Sequence, residues 1–207
     1  MSSAPAASAA PPATTPLERM TARFAPTDIT ADLSRLTDGE RGVLAKLVQA
    51  SKVIDALFLR QVWAGNPAML LDLARDRSVE GQARLRYFLI NKGPWSRLDH
   101  HEPFVPGAPS KPAGANFYPV DATKAEIEAW IRALPASERV KATGFFTTVR
   151  RAAGGQLSLV PYSLEYQSEL AQIATLLKEA AALSAEPSLN AYLTARAAAL
   201  LSNDYYD

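Results

Sequence analysis

The chain has 207 residues, enough for one domain of ordinary size and too few for two. Its 22 basic and 21 acidic side chains leave a formal charge of +1, so no net field draws it to nucleic acid or anionic lipid, and neither is an expected partner. With no cysteine there are no disulfides, thiol nucleophiles or thiolate zinc sites, and no apolar run approaches the roughly 20 residues a membrane span needs.

Residues 1–16 consist mostly of Ala, Ser, Thr and Pro, with no lysine or arginine and no leucine-rich stretch. Such a segment buries too little apolar surface to offset its ordering entropy. A disordered tether is therefore expected over residues 1–20, ahead of one helical region over 21–207. The tether is not an export signal as written. That points to the cytoplasm, or to the periplasm if a removed signal once preceded the tether.

Thr37 and Glu40 have the spacing of a capping box, in which a hydroxyl and a carboxylate satisfy reciprocal amides at a helix start. Leu44, Leu47, Val48, Ile54, Leu57, Phe58 and Val62 follow at helical spacing, predicting a core-facing stripe that ends near Gly65. Asn66-Pro67 predicts a second helix, with Asn66 as its cap and Met69, Leu70 and Leu73 inward. A third helix is predicted after Ser78, carrying Leu85, Phe88 and Leu89 up to the Gly93-Pro94 stop.

Residues 91–120 are rich in Pro and Gly and predict a long irregular connection. Trp95, Phe104, Phe117 and Tyr118 argue that it is ordered over the surface. Thr123 and Glu126 repeat the capping-box spacing and open a short helix through Ile127, Trp130, Ile131 and Leu134, ended by Pro135. Residues 145–151, the Gly154-Gly155 turn, and Leu157, Leu159 and Val160 predict a β-hairpin. Two final helices are predicted over 166–183 and 188–201. Tyr205 and Tyr206, just after an apolar helix, suggest packing beneath a further segment. The fold class expected is mainly α with a small β-hairpin.

No complete reactive constellation is present. His100 and His101 are adjacent, whereas a helical metal site needs imidazoles one turn apart, so a solvated loop is the expected role. Ser51 and Ser163 lack a nucleophile-elbow context, and Gly154-Gly155 lacks a phosphate-loop pattern. Glu126 and Glu128 fall on different helix faces. Arg150 and Arg151, with Arg139 and Lys141, could touch phosphate, but are expected as charges that protect a strand edge. Within Ile90-Asn91-Lys92-Gly93-Pro94-Trp95, Asn91 is expected to cap a helix and Trp95 to donate its indole N–H while covering the core. Gly114-Ala115-Asn116-Phe117-Tyr118-Pro119 places an amide and two rings behind a glycine. This composition suits either a peptide-binding rim or an aromatic loop anchor.

These segments, with Ser51-Lys52-Val53-Ile54-Asp55, Arg60-Gln61-Val62-Trp63, Val160-Pro161-Tyr162-Ser163 and Asn203-Asp204-Tyr205-Tyr206, resemble the short bacterial members of the dipeptidyl-peptidase III family. Plant proteins carrying a fused Nudix domain are similar. The resemblance runs over residues 21–207. It implies the helical amino-terminal portion of a two-lobed zinc metallopeptidase that removes dipeptides from the amino ends of oligopeptides. The family's zinc motif, His-Glu-x-x-Gly-His with a further downstream Glu, has no counterpart in this sequence. No catalytic or metal residue is carried over and no zinc is expected in this chain, although the full-length family holds one. The resemblance implies that Asn116, Phe117 and Tyr118 border the cleft, binding peptide substrate together with a catalytic half not present here. The alternative is a non-catalytic peptide-binding or interaction module on the same scaffold.

Overall fold

A computed structural model describes residues 15–206. Most of the expected tether, residues 1–14, lies outside the described residues. Its last part is helical: α1 (Pro16–Thr21) starts at Thr15, whose hydroxyl and the Glu18 carboxylate form a reciprocal capping box. The boundary expected at residue 20 therefore falls inside a helix. The mixed Ala/Pro composition hid this cap-and-proline start.

The helical scaffold has two cores that share α2 (Asp38–Val62), a helix opened by the Thr37–Glu40 capping box. One side of α2 packs against α8 (Gln167–Leu183), where Ala50 and Leu57 meet Tyr166, Leu170 and Ile173. Val43, Ala180 and Ala181 extend this core to Leu193 on α9 (Pro187–Ser202). Leu59 lies only two residues from Leu57 but on the opposite face of the helix. There it joins Leu73 of α3 (Asn66–Arg75) and Phe88 of α4 (Val79–Asn91) in the second core. Leu17 of α1 closes that side against Ala83 and Tyr87.

The apolar stripe predicted along α2 divides in two. Leu57 is buried, whereas Leu44, Val48, Ile54 and Phe58 are 39–52% exposed. The buried residues of α2 are Val43, Ala50, Leu57 and Leu59, and Leu47 packs partly buried against the core. Leu89 on α4 is also largely exposed. Periodicity identified a helix with more apolar surface than the two packed faces cover.

The connection after α4 is ordered, as its aromatics suggested. It also contains a two-residue antiparallel pair, β1 (Trp95–Ser96) with β2 (Glu102–Pro103), that the sequence reading missed. Two-residue strands leave no alternation to detect. The Trp95 indole N–H donates to the Pro109 carbonyl at 2.8 Å, pinning the connection onto the second core. Next come α5 (Lys124–Ala133), α6 (Ala136–Ala142), the hairpin β3 (Thr147–Arg151) with β4 (Leu157–Pro161), and the short α7 (Tyr162–Glu165). At α5 the Thr123 hydroxyl caps as expected, but Glu126 does not reach back to complete the box. It pairs with Arg151 at 2.9 and 3.0 Å.

The arginines of the hairpin are thus ion-paired rather than free edge charges. Arg150 binds Glu165 (2.7 Å) and Arg151 also meets Asp121 (3.0 Å). The apolar face of α9 is covered in part within the chain, with Leu193 and Ala197 buried while Tyr192 and Leu201 stay exposed. Tyr205 stacks on Phe146 at 4.3 Å and leaves Tyr206 exposed, so one of the two terminal tyrosines already has its cover.

Candidate functional site

The last turn of a helix has carbonyls with no intrahelical partner. At the end of α2 other segments supply donors to two of them, Arg60 O and Gln61 O, and add a second donor to Leu59 O, which already accepts from Trp63 N–H. Asn66 Nδ2 donates to Leu59 O (2.9 Å), Asn116 Nδ2 to Arg60 O (2.9 Å), and the Asn116 backbone N–H to Gln61 O (2.9 Å). Asn66 does not cap its own helix as the sequence suggested. The N-cap is Gly65, and the fully buried Asn66 side chain ties the end of α2 to Lys92 O at 3.2 Å.

The loop at residues 114–119 is then fixed from its other side. Arg150 donates to Asn116 O (2.9 Å), and Val149 N–H to Phe117 O (2.8 Å), so the loop lies along β3. Arg150 also grips both Glu165 carboxylate oxygens, while Arg60 reaches Glu165 O (2.9 Å) and Glu169 (2.6 Å) beneath the Tyr166 ring. Arg60, Asn116, Arg150 and Glu165 thus close a ring of hydrogen bonds joining α2, the loop, the hairpin and α7. Such charge-assisted, convergent bonds hold a loop to one geometry. Sequence reading missed this ring because its members are 15 to 105 residues apart, with no local signal.

Phe117 stacks on Tyr162 (6.3 Å between centroids, 18° between planes), and Tyr162 meets Tyr166 edge-on at 5.0 Å. Burial, with Tyr166 and Tyr118 nearby, pushes the Tyr162 phenol up to about 12.

Of the three residues expected at a peptide rim, the structure treats each differently. The Asn116 amide N–H group is engaged with α2. Phe117 lines a cavity of about 490 Å³ together with Phe58, Gln61, Val62, Trp95 and Ala115. Tyr118 lies outside that lining, over Gly114, and is 37% exposed. Arg97, His101 and Lys111 also line the cavity, and sequence reading had given Arg97 and Lys111 no role. A larger groove of about 650 Å³ lies between α1 and α4 but draws no aromatic side chain to its wall.

His100 and His101 both hold left-handed backbone angles (φ 52° and 62°) in the turn between β1 and β2. Such angles are uncommon for non-glycine residues, although histidine is enriched there. The turn is braced below them. Ser96 binds both the buried Tyr87 hydroxyl (2.7 Å) and Asp99 (2.5 Å), and Arg23 clamps Asp99 at 2.7 and 2.9 Å. The Ser96 hydroxyl, then Arg23, hold the Asp99 carboxyl below its usual value. Among the described residues no group of three or more His, Asp or Glu side chains is placed to hold a metal ion.

No family model matches the chain. Among curated proteins it is 31% identical to Nudix hydrolase 3 of Arabidopsis thaliana, over 92% of this chain and 31% of that protein. Among solved structures it resembles dipeptidyl-peptidase III from Corallococcus sp. strain EGB, at 57% identity and a TM-score of 0.89, covering 92% of this chain and 35% of that one. It also resembles DPP III from Caldithrix abyssi, at 43% identity and a TM-score of 0.86, covering 91% and 36%. The chain spans about a third of the length of each of these relatives. Backbone agreement at such identities, over nearly the whole chain, places it in the dipeptidyl-peptidase III-like family, corresponding to an amino-terminal part of that family's longer chains.

Proposed function

We propose that this chain forms one wall of the peptide cleft in a longer zinc-dependent hydrolase that removes dipeptides from the amino ends of oligopeptides. The observation that carries the reading is the 57% identity to a dipeptidyl-peptidase III over 92% of the chain. On this reading the hydrolytic centre belongs to the rest of the longer chain, because the family's His-Glu-x-x-Gly-His motif has no counterpart in this sequence. What they contribute is positioning. The Arg60–Asn116–Arg150–Glu165 ring fixes the loop, and the loop presents the Phe117 and Tyr118 rings as an apolar rim. A rim held before ligand arrives costs little ordering entropy on binding.

The test compares this chain alone with a chimera in which it replaces the matching third of the Corallococcus enzyme. Zinc binding is measured by calorimetry and turnover with a dipeptidyl-arylamide. Zinc binding and turnover by the chimera alone are expected. Stoichiometric zinc and turnover by the isolated chain would overturn the division of labour. A chimera that folds and binds zinc but does not turn over would favour a binding module without a catalytic role.

A further inference from the structure

From the cavity beside the loop we infer that this chain carries an anchoring site for the carboxylate end of a short peptide with an apolar last residue. The inference rests on the peptide-cleft reading for the identity of the ligand, and on the cavity's own chemistry for the rest.

The walls divide sharply by type. Phe58 and Val62 from the end of α2, with Phe117 from the loop, form an apolar floor. Arg97, His101 and Lys111 stand at the same cavity, whose lining contains no aspartate or glutamate. The other arginines and lysines that hold this fold together are paired: Arg23, Arg60, Lys92, Arg150 and Arg151 each meet a carboxylate within 3.0 Å. Among the described residues, the Arg97 guanidinium and Lys111 ammonium meet none within 4.0 Å, although both line a concave site.

A recess of this size with an apolar floor and convergent cations suits a ligand that is apolar along its body and anionic at one end. Inorganic phosphate would leave the floor empty, and an uncharged apolar ligand would leave both cations unmatched. A peptide's last side chain and terminal carboxylate satisfy both at once.

The backbone that carries Arg97 and His101 is also fixed. The Arg97 backbone N–H donates to Asn91 Oδ1 at 2.9 Å, which sets where its side chain leaves the chain. The left-handed pair at His100 and His101 puts His101 at the cavity, in a turn fixed by Ser96, Asp99 and Arg23. Backbone strain persists where the surroundings over-determine it, and here they set one wall of the recess.

The experiment titrates the 207-residue chain with Ala-Ala-Ala-Phe, as free acid and as carboxy-terminal amide, following backbone amide shifts by NMR. The free acid should bind about five- to tenfold more tightly than the amide, as expected for two partly exposed cations. The largest shifts should fall at residues 58–62, 97–101 and 111–117. The Arg97→Gln/Lys111→Gln double variant, checked for native circular dichroism, should bind acid and amide alike. Equal binding of acid and amide by the unmodified chain would overturn the carboxylate anchor and leave the peptide cleft standing. Binding of 3-phenylpropionate at these residues without binding of either peptide would keep the anionic site but remove the peptide reading. No binding of any of the three would overturn both.

Discussion

Asn66 and Gly93 hold adjacent parts of one junction, and each depends on a property only its residue type has. Asn66 is fully buried and donates to the carbonyls that end α2 and α4. Replacing it with alanine removes both bonds and leaves Leu59 O with Trp63 N–H alone, at an expected cost of about 1–3 kcal/mol in the unfolding free energy from urea denaturation. Gly93 lies at φ +156°, and an added Cβ would come 3.1 Å from the Trp95 ring and 3.4 Å from Asn66 Oδ1. Gly93→Ala should therefore lose about 1–3 kcal/mol by the same measurement, with changed Trp95 fluorescence. At the loop, Asn116→Ala removes one bond to α2 but leaves the Phe117–Val149 bond intact. About 1 kcal/mol of stability should be lost. Peptide binding should fall further than that loss explains, if the loop's job is to present Phe117.

For the elements, α2 supplies the sharpest contrast. Its α8-facing side meets Ile173, 2% exposed, while Leu44 and Val48 on another face are 39% and 52% exposed. Ile173→Ala should cost about 2–5 kcal/mol through the cavity it leaves. Leu44→Ala and Val48→Ala should each stay within about 0.5 kcal/mol. Chemical denaturation of the three variants side by side checks the face assignment directly. Equal losses at Ile173 and Leu44 would mean that the exposed face is packed in solution.

At the scale of the whole molecule, two ion pairs with depressed carboxyls tie distant segments together and make stability depend on acid. Arg151 holds the Glu126 carboxyl below its ordinary 4.5, linking α5 to the hairpin. Ser96 and Arg23 hold Asp99 below 3.8, linking the β1–β2 turn to the end of α1. A carboxyl whose folded value lies below its unfolded one binds fewer protons when folded, so its contribution is complete above the unfolded value. These contributions should be intact at neutral pH and fade as pH falls below about 4.5, toward the depressed folded values. Thermal unfolding from pH 7 to 3 should show that fall, and Glu126→Gln should flatten part of it. The exposed apolar stripe of α2 at Leu44, Val48 and Ile54 also predicts that the isolated chain binds an apolar dye or self-associates. A strictly monomeric chain that binds no dye would remove the expectation that this face is covered in a longer protein.

The sequence by itself determined what local signals encode. Thr37 and Glu40 placed the start of α2, Ser78 that of α4 and Thr123 that of α5, because a cap and its partner amide lie three residues apart. The hairpin and the indole bond of Trp95 were legible for the same reason: turn glycines and a ring with one donor have few alternative uses. The gapped phrases around Trp95 and Asn116 were enough to name the family. Only the tertiary structure decided which face of α2 is buried, since periodicity reports a stripe but not the number of neighbours available to cover it. It alone showed that the Asn116 amide serves α2, that Arg60, Arg150 and Glu165 lock the loop, and that Arg97 and Lys111 share a cavity with Phe117. Those contacts join residues far apart in the chain, and their geometry exists only once both cores have packed.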